Sequence, residues 1–391
     1  MGRCPSSAPL TADRTLTTVT ASSGSLAPLK FLSSPAIPVD VTHRETGLEK
    51  SMAKRIAING FGRIGRVAFR VITERQKRGD NSIEIVAIND LTSADMLAHL
   101  LKYDSVHRRF DADVKVDGNS IVVNGKAIKI TAEKDPAKLP WREQEVDVVF
   151  ESSGVFTSKD DMVKHIGAGA KKVLLSAPYK GTAPDATICY GVNHQIFNPD
   201  MTTVSTASCT TNCLAPVAKV ILDNFGIENA FVTTVHSYTN DQRILDLPHS
   251  DMRRARAAAV NMIPTSTGAA KAISLILPEL KGKFDGTAIR VPTPNVSIID
   301  LTCQMTKKTT AEEVNAKLRE ASNGIFKGVM GYTDEELVSS DFCGTNESSY
   351  VDAASTAVLN GNFLKVLAWY DNEWGFTNRA VDILSMMAKA C

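Results

Sequence analysis

The chain has 391 residues, 43% hydrophobic and 22% charged, with 44 Lys and Arg against 43 Asp and Glu. That length fits two domains with a sizeable core, and the composition excludes a wholly disordered chain and a disulfide-stapled miniprotein. The balanced charge announces no nucleic-acid surface, and no apolar run approaches the roughly 18–20 residues of a membrane span. Seven cysteines, at 4, 189, 209, 213, 303, 343 and 391, are odd in number and scattered. That pattern fits reduced intracellular thiols rather than a disulfide framework. Cys209 and Cys213 are four apart, but no second pair follows at zinc-ribbon spacing, so no metal ligands are expected.

Residues 1–51 stand apart. Up to Pro38 they hold twelve Ser and Thr, five Pro and one acid, Asp13. With no hydrophobic period, this stretch is expected to be disordered. It reads either as a Ser-rich, acid-poor organelle transit peptide or as an extension with no targeting role, since Met52 lies just before the first strand. From Lys54 onward short apolar runs alternate with helical spacing. Arg55–Asn59, Ile83–Asn89, Val146–Phe150, Lys172–Ser176 and Met201–Ser205 read as strands, and Arg66–Ile72 as part of a helix. Such alternation implies βαβ units and a mostly parallel sheet. After about residue 210 the strands lengthen and gain β-branched residues, as in Phe231–His236 and Val296–Thr302. A second, α+β domain with a larger and more antiparallel sheet is expected there.

Gly60-Phe-Gly62-Arg-Ile-Gly65 directly follows the first strand and opens the helix. In a dinucleotide-binding turn the first glycine allows the bend. The second lets the backbone approach a pyrophosphate, and the third lets helix pack on strand. Asp90 ends the next strand at the expected distance. Its carboxylate can accept from the ribose hydroxyls and repels a 2′-phosphate, which favours NAD over NADP.

Ser208-Cys209-Thr-Thr-Asn-Cys213 precedes an apolar helical stretch that ends near Gly226. A cysteine at a helix start is expected to have a lowered thiol pKa. Pro216 sits awkwardly in that helix, and two buried structural cysteines are the alternative reading. His236 leaves a strand into the polar Ser237-Tyr-Thr-Asn-Asp241, and with Cys209 it supplies a nucleophile and base. Three groups look anion-binding. Thr265-Ser-Thr-Gly268 opens an apolar helix, where simple N-capping by Ser266 or Thr267 is the alternative. Arg253-Arg254-Ala-Arg256 is a short basic run. Arg290 is a lone charge in an apolar strand and should have an anionic partner.

Ile58-Asn-Gly-Phe-Gly-Arg-Ile-Gly-Arg66, the Ser208–Cys213 hexapeptide, Ser176-Ala-Pro178, Pro292-Thr-Pro294 and Trp369-Tyr-Asp-Asn-Glu-Trp374 together resemble phosphorylating glyceraldehyde-3-phosphate dehydrogenases, from about residue 53 to 390. The resemblance implies a Rossmann-type α/β domain over 52–208 and an α+β catalytic domain with a large mixed, mainly antiparallel sheet over 209–371. A C-terminal segment, 372–391, would return as a helix to the first domain. It implies Cys209 as nucleophile and His236 as base. Thr239 and Arg290 would contact the substrate's phosphate ester, and Ser208, Thr210, Arg254, Thr267 and Gly268 would line an inorganic-phosphate site. Gly60, Gly62, Arg63, Ile64, Gly65, Asp90, Ser176 and Asn372 would hold NAD. The loop with Leu247 and Pro248 would lie near a neighbouring subunit's cofactor in a homotetramer. Phe376 stands where many members carry Tyr, and His107-Arg108-Arg109 replaces the more usual His-Gly. The resemblance also implies glycolysis in the cytoplasm, or the plastid stroma under the transit-peptide reading. A related enzyme acting on erythrose 4-phosphate, releasing its acyl group to water, would share these motifs. A NAD-binding redox sensor or nucleic-acid binder would explain Cys209 and the glycines but not the anion groups.

Overall fold

The computed structural model describes residues 53–391. The expected disordered tail and the transit-peptide reading fall on residues 1–51, outside the described residues. The first sheet contains β1 (Lys54–Asn59), β2 (Ile83–Asn89), β3 (Val114–Asp117), β4 (Ser120–Val123), β5 (Lys126–Thr131), β6 (Val148–Glu151), β7 (Lys172–Leu175), β8 (Ala186–Thr187) and β9 (Thr203–Ser205). The order is β3-β4-β5-β2-β1-β6-β7-β9-β8. From β5 to β8 every pairing is parallel, and only the β3–β4–β5 edge is antiparallel. Helices α1 (Arg63–Lys77), α2 (Ala94–Lys102) and α3 (Lys159–Gly167) supply crossovers.

The central strands are mostly apolar where both faces of this sheet are covered, as in Val148–Phe150 of β6 and Val173–Leu175 of β7. Ile56 and Ile58 of β1 pack with Val67 and Val71 of α1, whereas Ala57 packs with Val149, Val173 and Met162 on the opposite face. Each such fully buried Ile or Val contributes about 1.5–3 kcal/mol. Strand order reverses between β1 and β6, and the carboxyl ends of strands at such a reversal open a ligand crevice.

The second sheet contains β10 (Asn229–Ser237), β11 (Ile263–Ser266), β12 (Phe284–Val291), β13 (Ser297–Gln304), β14 (Met330–Thr333), β15 (Ser349–Leu359) and β16 (Phe363–Tyr370). Their order is β11-β12-β10-β13-β16-β15-β14, mainly antiparallel, with β10–β12 and β14–β15 parallel. It has seven strands against nine, but they are longer, up to the eleven residues of β15, so it holds more residues in strands, as expected of the larger sheet. The short β3–β5 strands and β8 and β9 widen the first sheet beyond what apolar runs reveal. β13 alternates buried and half-buried residues along its length. Its inner face, Ile299, Leu301 and Cys303, shares a core with α4 (Cys209–Phe225), α5 (Ala269–Ile276) and α6 (Ala311–Asn323). α4 runs through Pro216 without ending there. The last helix, α7 (Trp374–Lys389), places Ala380, Ile383, Leu384 and Met387 in the same core as Ile56 and Ile58 of the first sheet.

Arg108 has a φ of 62°, the left-handed region that costs a residue with a Cβ roughly 1–2 kcal/mol. Glycine escapes that cost but loses about 0.5–1 kcal/mol of backbone entropy on folding. Arg108→Gly should therefore stabilise the fold by about 0.5–1 kcal/mol, read from the midpoint of urea unfolding. An unchanged or lower midpoint would mean that the Arg108 side chain makes up the strain.

Candidate active site

The glycine turn is shaped for close approach. A Cβ on Gly60 would lie 2.4 Å from the Ser153 backbone, and one on Gly65 would lie 2.3 Å from the Gly60 carbonyl. A Cβ on Gly62 would meet nothing within 4 Å, so this glycine faces open space at the start of α1. The first N–H groups of a helix have no intrahelical acceptor, and Gly62, Arg63 and Ile64 present theirs at that opening. Asp90 holds the turn from beside it: Oδ2 accepts from the Phe61 amide at 2.8 Å and Oδ1 from the Thr92 amide at 3.3 Å. Ser176 follows β7, its amide donating to the Glu151 carbonyl. Asn372 is buried, and its Oδ1 accepts from Ser297 Oγ at 2.9 Å, which leaves Nδ2 as the donating end. A dinucleotide fits this donor set: free amides for a pyrophosphate, a carboxylate for ribose, and a fixed amide for the nicotinamide carboxamide. The Arg63 side chain is not part of that cradle, because its guanidinium pairs with Asp104 and Glu373. Only its backbone is free to meet a phosphate.

Cys209 is the first residue of α4, and Ser208 caps the helix by accepting from the Thr211 amide at 3.0 Å. His236 comes from the last turn of chain in β10. The two meet with Cys209 Sγ 3.4 Å from His236 Nε2. His236 and Arg290 are register partners on the parallel strands β10 and β12. His236 Nδ1 lies 2.7 Å from the Ser237 carbonyl, and Arg290 Nη1 lies 3.0 Å from that carbonyl and 2.9 Å from Nδ1. A guanidinium only donates and a carbonyl only accepts. The two contacts at Nδ1 thus ask for opposite tautomers; we assign the proton to Nδ1, donated to Ser237, with Arg290 donating to the same carbonyl, which leaves the Nε2 lone pair facing the sulfur.

Burial and the adjacent Arg290 pull His236 down to about 3, against the raising effect of the Ser237 carbonyl. The imidazole is thus a neutral acceptor at physiological pH. The expectation of a lowered thiol pKa is overturned. Burial pushes Cys209 up, and the opposing influences of Arg290 and the Thr210 amide do not cancel it. The resting pair is a thiol beside a neutral imidazole, although the residue remains half-buried and reachable.

Arg290 was expected to have an anionic partner, and among the described residues it has none: its contacts are His236 and the Ser237 carbonyl, and its Nε is buried without any partner. Arg254 differs. It pairs with Asp241 at 2.6 Å and Asp251 at 3.6 Å and donates to Thr265 at 2.8 Å. Thr239 donates its amide to Gln242, and Thr267 Oγ1 accepts from the Ala269 amide. Gly268 precedes α5 with open space where a Cβ would be. Since β11 is antiparallel to β12, pairing Ile263 with Arg290 and Ser266 with Thr287, Thr267 and Gly268 stand toward the start of β12 and Arg290 at its end.

Sequence reasoning missed Tyr370 as a functional residue, although the motif around it was noticed. Its hydroxyl lies 2.9 Å from Thr210 Oγ1 and 2.8 Å from Thr234 Oγ1, and its ring stands edge-on to His236. The alternation of Leu364, Val366, Ala368 and Tyr370 on the buried face of β16 was the available signal.

The fold and site define a dinucleotide-binding α/β protein in which a helix-start cysteine meets a histidine of the second sheet beside a half-buried arginine with no carboxylate partner among the described residues. Residues 54–159 match the model of the glyceraldehyde 3-phosphate dehydrogenase NAD binding domain, and residues 208–372 match that of the C-terminal domain. The glyceraldehyde-3-phosphate dehydrogenase 1 of Bacillus subtilis is 58% identical over 341 residues, covering 86% of this chain and 99% of the relative. The Geobacillus stearothermophilus enzyme is 56% identical over 338 residues, with coverage of 86% and 99%. Glyceraldehyde-3-phosphate dehydrogenase 2 of Synechocystis is 56% identical over 337, with coverage of 86% and 98%. The chain belongs to the glyceraldehyde 3-phosphate dehydrogenase family.

His236 has a folded pKa of about 3 against an ordinary 6.5. Acid therefore protonates the unfolded chain first, and stability is lost as pH falls from 6.5 toward 3. In His236→Gln that contribution disappears, so the fall in urea midpoint between pH 7 and pH 5 should be shallower than in the parent. Parallel pH slopes would show that His236 is not held neutral.

Proposed function

We propose that this chain is a glycolytic oxidoreductase that oxidises and phosphorylates D-glyceraldehyde 3-phosphate to 1,3-bisphosphoglycerate through a thioester on Cys209. The observation that carries the reading is the 3.4 Å approach of Cys209 Sγ to His236 Nε2 beside Arg290, a half-buried cation whose Nε is buried and which has no carboxylate partner among the described residues. Gly60, Gly62, Arg63, Ile64 and Gly65 hold the pyrophosphate by backbone, Asp90 the ribose, and Ser176 and Asn372 the nicotinamide end. Bound there, NAD supplies the two-electron acceptor that the oxidation requires.

Cys209 attacks the aldehyde carbon. Its proton passes to His236 Nε2 and on to the aldehyde oxygen as the C–S bond forms, giving a thiohemiacetal. The imidazole, neutral again, takes the hydroxyl proton during oxidation to the thioester, a service worth ~10²–10⁴ in rate. The amide at the start of α4 is placed to stabilise the oxyanion. Arg290 and Thr239 hold the substrate's phosphate ester. Ser208, Thr210, Thr267, Gly268 and Arg254 hold inorganic phosphate, which attacks the thioester carbonyl and frees the thiol. On β12, Thr287, which pairs with Ser266 beside Thr267 and Gly268, and Arg290 are three residues apart, roughly 10 Å, which supports two anion positions rather than one.

The 244–262 loop exposes Ile244, Leu245, Leu247, Met252, Val260 and Met262, with Met252 at 88%. An apolar patch of this kind marks a protein interface, and it supports a homotetramer; a monomer in analytical ultracentrifugation would remove this part of the reading. No helix among the described residues is long and apolar enough to cross a membrane. We place the enzyme in the cytoplasm, with the plastid stroma as the alternative that a fluorescent fusion of residues 1–51 decides.

Cys209→Ser should abolish NADH formation from glyceraldehyde 3-phosphate while NAD binding survives, and Cys213→Ser should keep substantial activity. Turnover should need phosphate, with arsenate as a substitute; without either, one rapid burst of NADH per site should precede slow hydrolysis. Arg254→Leu should raise the KM for phosphate, and Arg290→Leu that for the aldehyde, each roughly tenfold to a hundredfold for the loss of a charge-assisted contact. Rapid sustained turnover in phosphate-free buffer would favour the hydrolytic relative instead.

A further inference from the structure

Three side chains from distant parts of the chain converge where α7 begins. His107, Cys343 and Asp371 each bring one donor atom, and these atoms lie within 4.8 Å of one another. Chain spacing hides the group, because each residue arrives on a different loop. None of the three has a role in the chemistry of Cys209.

The surroundings are those of a cation site. His107 gives Nε2 to Glu373 at 2.9 Å, which leaves Nδ1 for a ligand. A carboxylate behind the imidazole is the arrangement that orients metal-bound histidines. Cys343 is exposed, so a cation reaches its sulfur from solvent. Asp371 is buried, and its carboxylate accepts from the amides of Gly344, Glu373 and Trp374 and from Asn295 Nδ2. It receives no ion pair among the described residues; its four partners are neutral amide donors. Asn295 Nδ2 lies 2.9 Å from Asp371 Oδ2 and 3.6 Å from Cys343 Sγ, so an amide with only partial positive charge bridges carboxylate and sulfur. Asn295 Oδ1 is itself buried without a partner.

We propose that His107, Cys343 and Asp371 bind one divalent metal ion of the zinc class. The mixed nitrogen, sulfur and oxygen set suits Zn²⁺, whereas Mg²⁺ and Ca²⁺ take oxygen. Tetrahedral bonds of about 2.0–2.3 Å place ligand atoms roughly 3.3–3.8 Å apart. The donors therefore close in by about 1 Å, chiefly through the exposed Cys343 loop, and the ion replaces the Asn295 amide between oxygen and sulfur. On binding, the Sγ–H bond breaks, an Sγ–metal bond forms, and one proton leaves to solvent.

The test uses Co²⁺ on the full chain carrying Cys209→Ser, which removes the other reachable cysteine–histidine pair. Equilibrium dialysis should find one Co²⁺ per chain, with thiolate-to-cobalt charge-transfer absorption that added Zn²⁺ erases. Adding Cys343→Ser should abolish that absorption, and His107→Gln should weaken binding at least roughly tenfold. Asp371 also caps α7, so Asp371→Asn is interpreted only alongside its melting temperature, and Cys343→Ser and His107→Gln decide the matter. Absence of binding, absorption that persists in Cys343→Ser, or unweakened binding in His107→Gln would each overturn the site.

Discussion

Tyr370 is 1% exposed, and its hydroxyl stands between Thr210 on α4 and Thr234 on β10. Thr210 follows Cys209 in the chain, and Thr234 lies two residues before His236 on the same strand face. One phenol thereby ties the start of the helix to the strand and sets how far the sulfur lies from the imidazole. A phenolic hydroxyl donates once and accepts once, so both threonines can be satisfied. The tie is neutral. A charged tie at this depth would carry a desolvation penalty of several kcal/mol per ion. Without the hydroxyl, two buried threonine oxygens would lose a partner at about 1–3 kcal/mol each.

Charge in the site follows from which cations have partners. Arg254 shares its charge with Asp241 and Asp251 on its own loop. Arg290 is half-buried beside His236 with no carboxylate to meet it among the described residues, so it does two things at once. It keeps the imidazole neutral, with Nε2 free to accept a proton, and it leaves positive charge uncompensated in a cleft. Burying a cation without a counter-ion is costly; an arriving phosphate ester offsets that cost. The same burial raises Cys209, so the thiol gives up its proton to the imidazole when the carbon is attacked rather than resting as a thiolate.

Much of this was legible in the chain. The glycine turn, Asp90 and the short apolar strands announced the first sheet, because parallel strands buried on both faces must be apolar. Cys209 at a helix start and His236 at a strand end could be read as a pair. The pairing partners could not. Register across β10 and β12 sets His236 against Arg290, and register is a tertiary property. Arg63 was expected among the residues that hold NAD, yet its side chain serves Asp104 and Glu373; nothing local separates a backbone role from a side-chain role. The direction of the Cys209 shift was misread because a helix dipole is visible in sequence and burial is not. The longer strands of the second sheet were legible, but the nine strands of the first were not, because the small ones at its edges leave almost no apolar pattern.

The five residues from Tyr370 to Trp374 join the two sheets through the start of α7. Tyr370 closes β16 and ties the cysteine to the histidine. Asp371 accepts the amides of Glu373 and Trp374 and so starts α7. Asn372 bonds Ser297 of β13 and is proposed to meet the nicotinamide. Glu373 pairs with Arg63 at the glycine turn, and Trp374 enters the first core. Successive side chains thus reach the cysteine helix, their own helix end, the second sheet, the glycine turn and the first core. If α7 packed elsewhere, Asn372 and Glu373 could not both keep their partners, because one lies in the second sheet and the other on α1. The core formed by α7 with β1 and α1 is therefore what fixes the distance between the dinucleotide crevice and Cys209, and the chemistry of the site depends on the apolar face of a helix that touches no substrate.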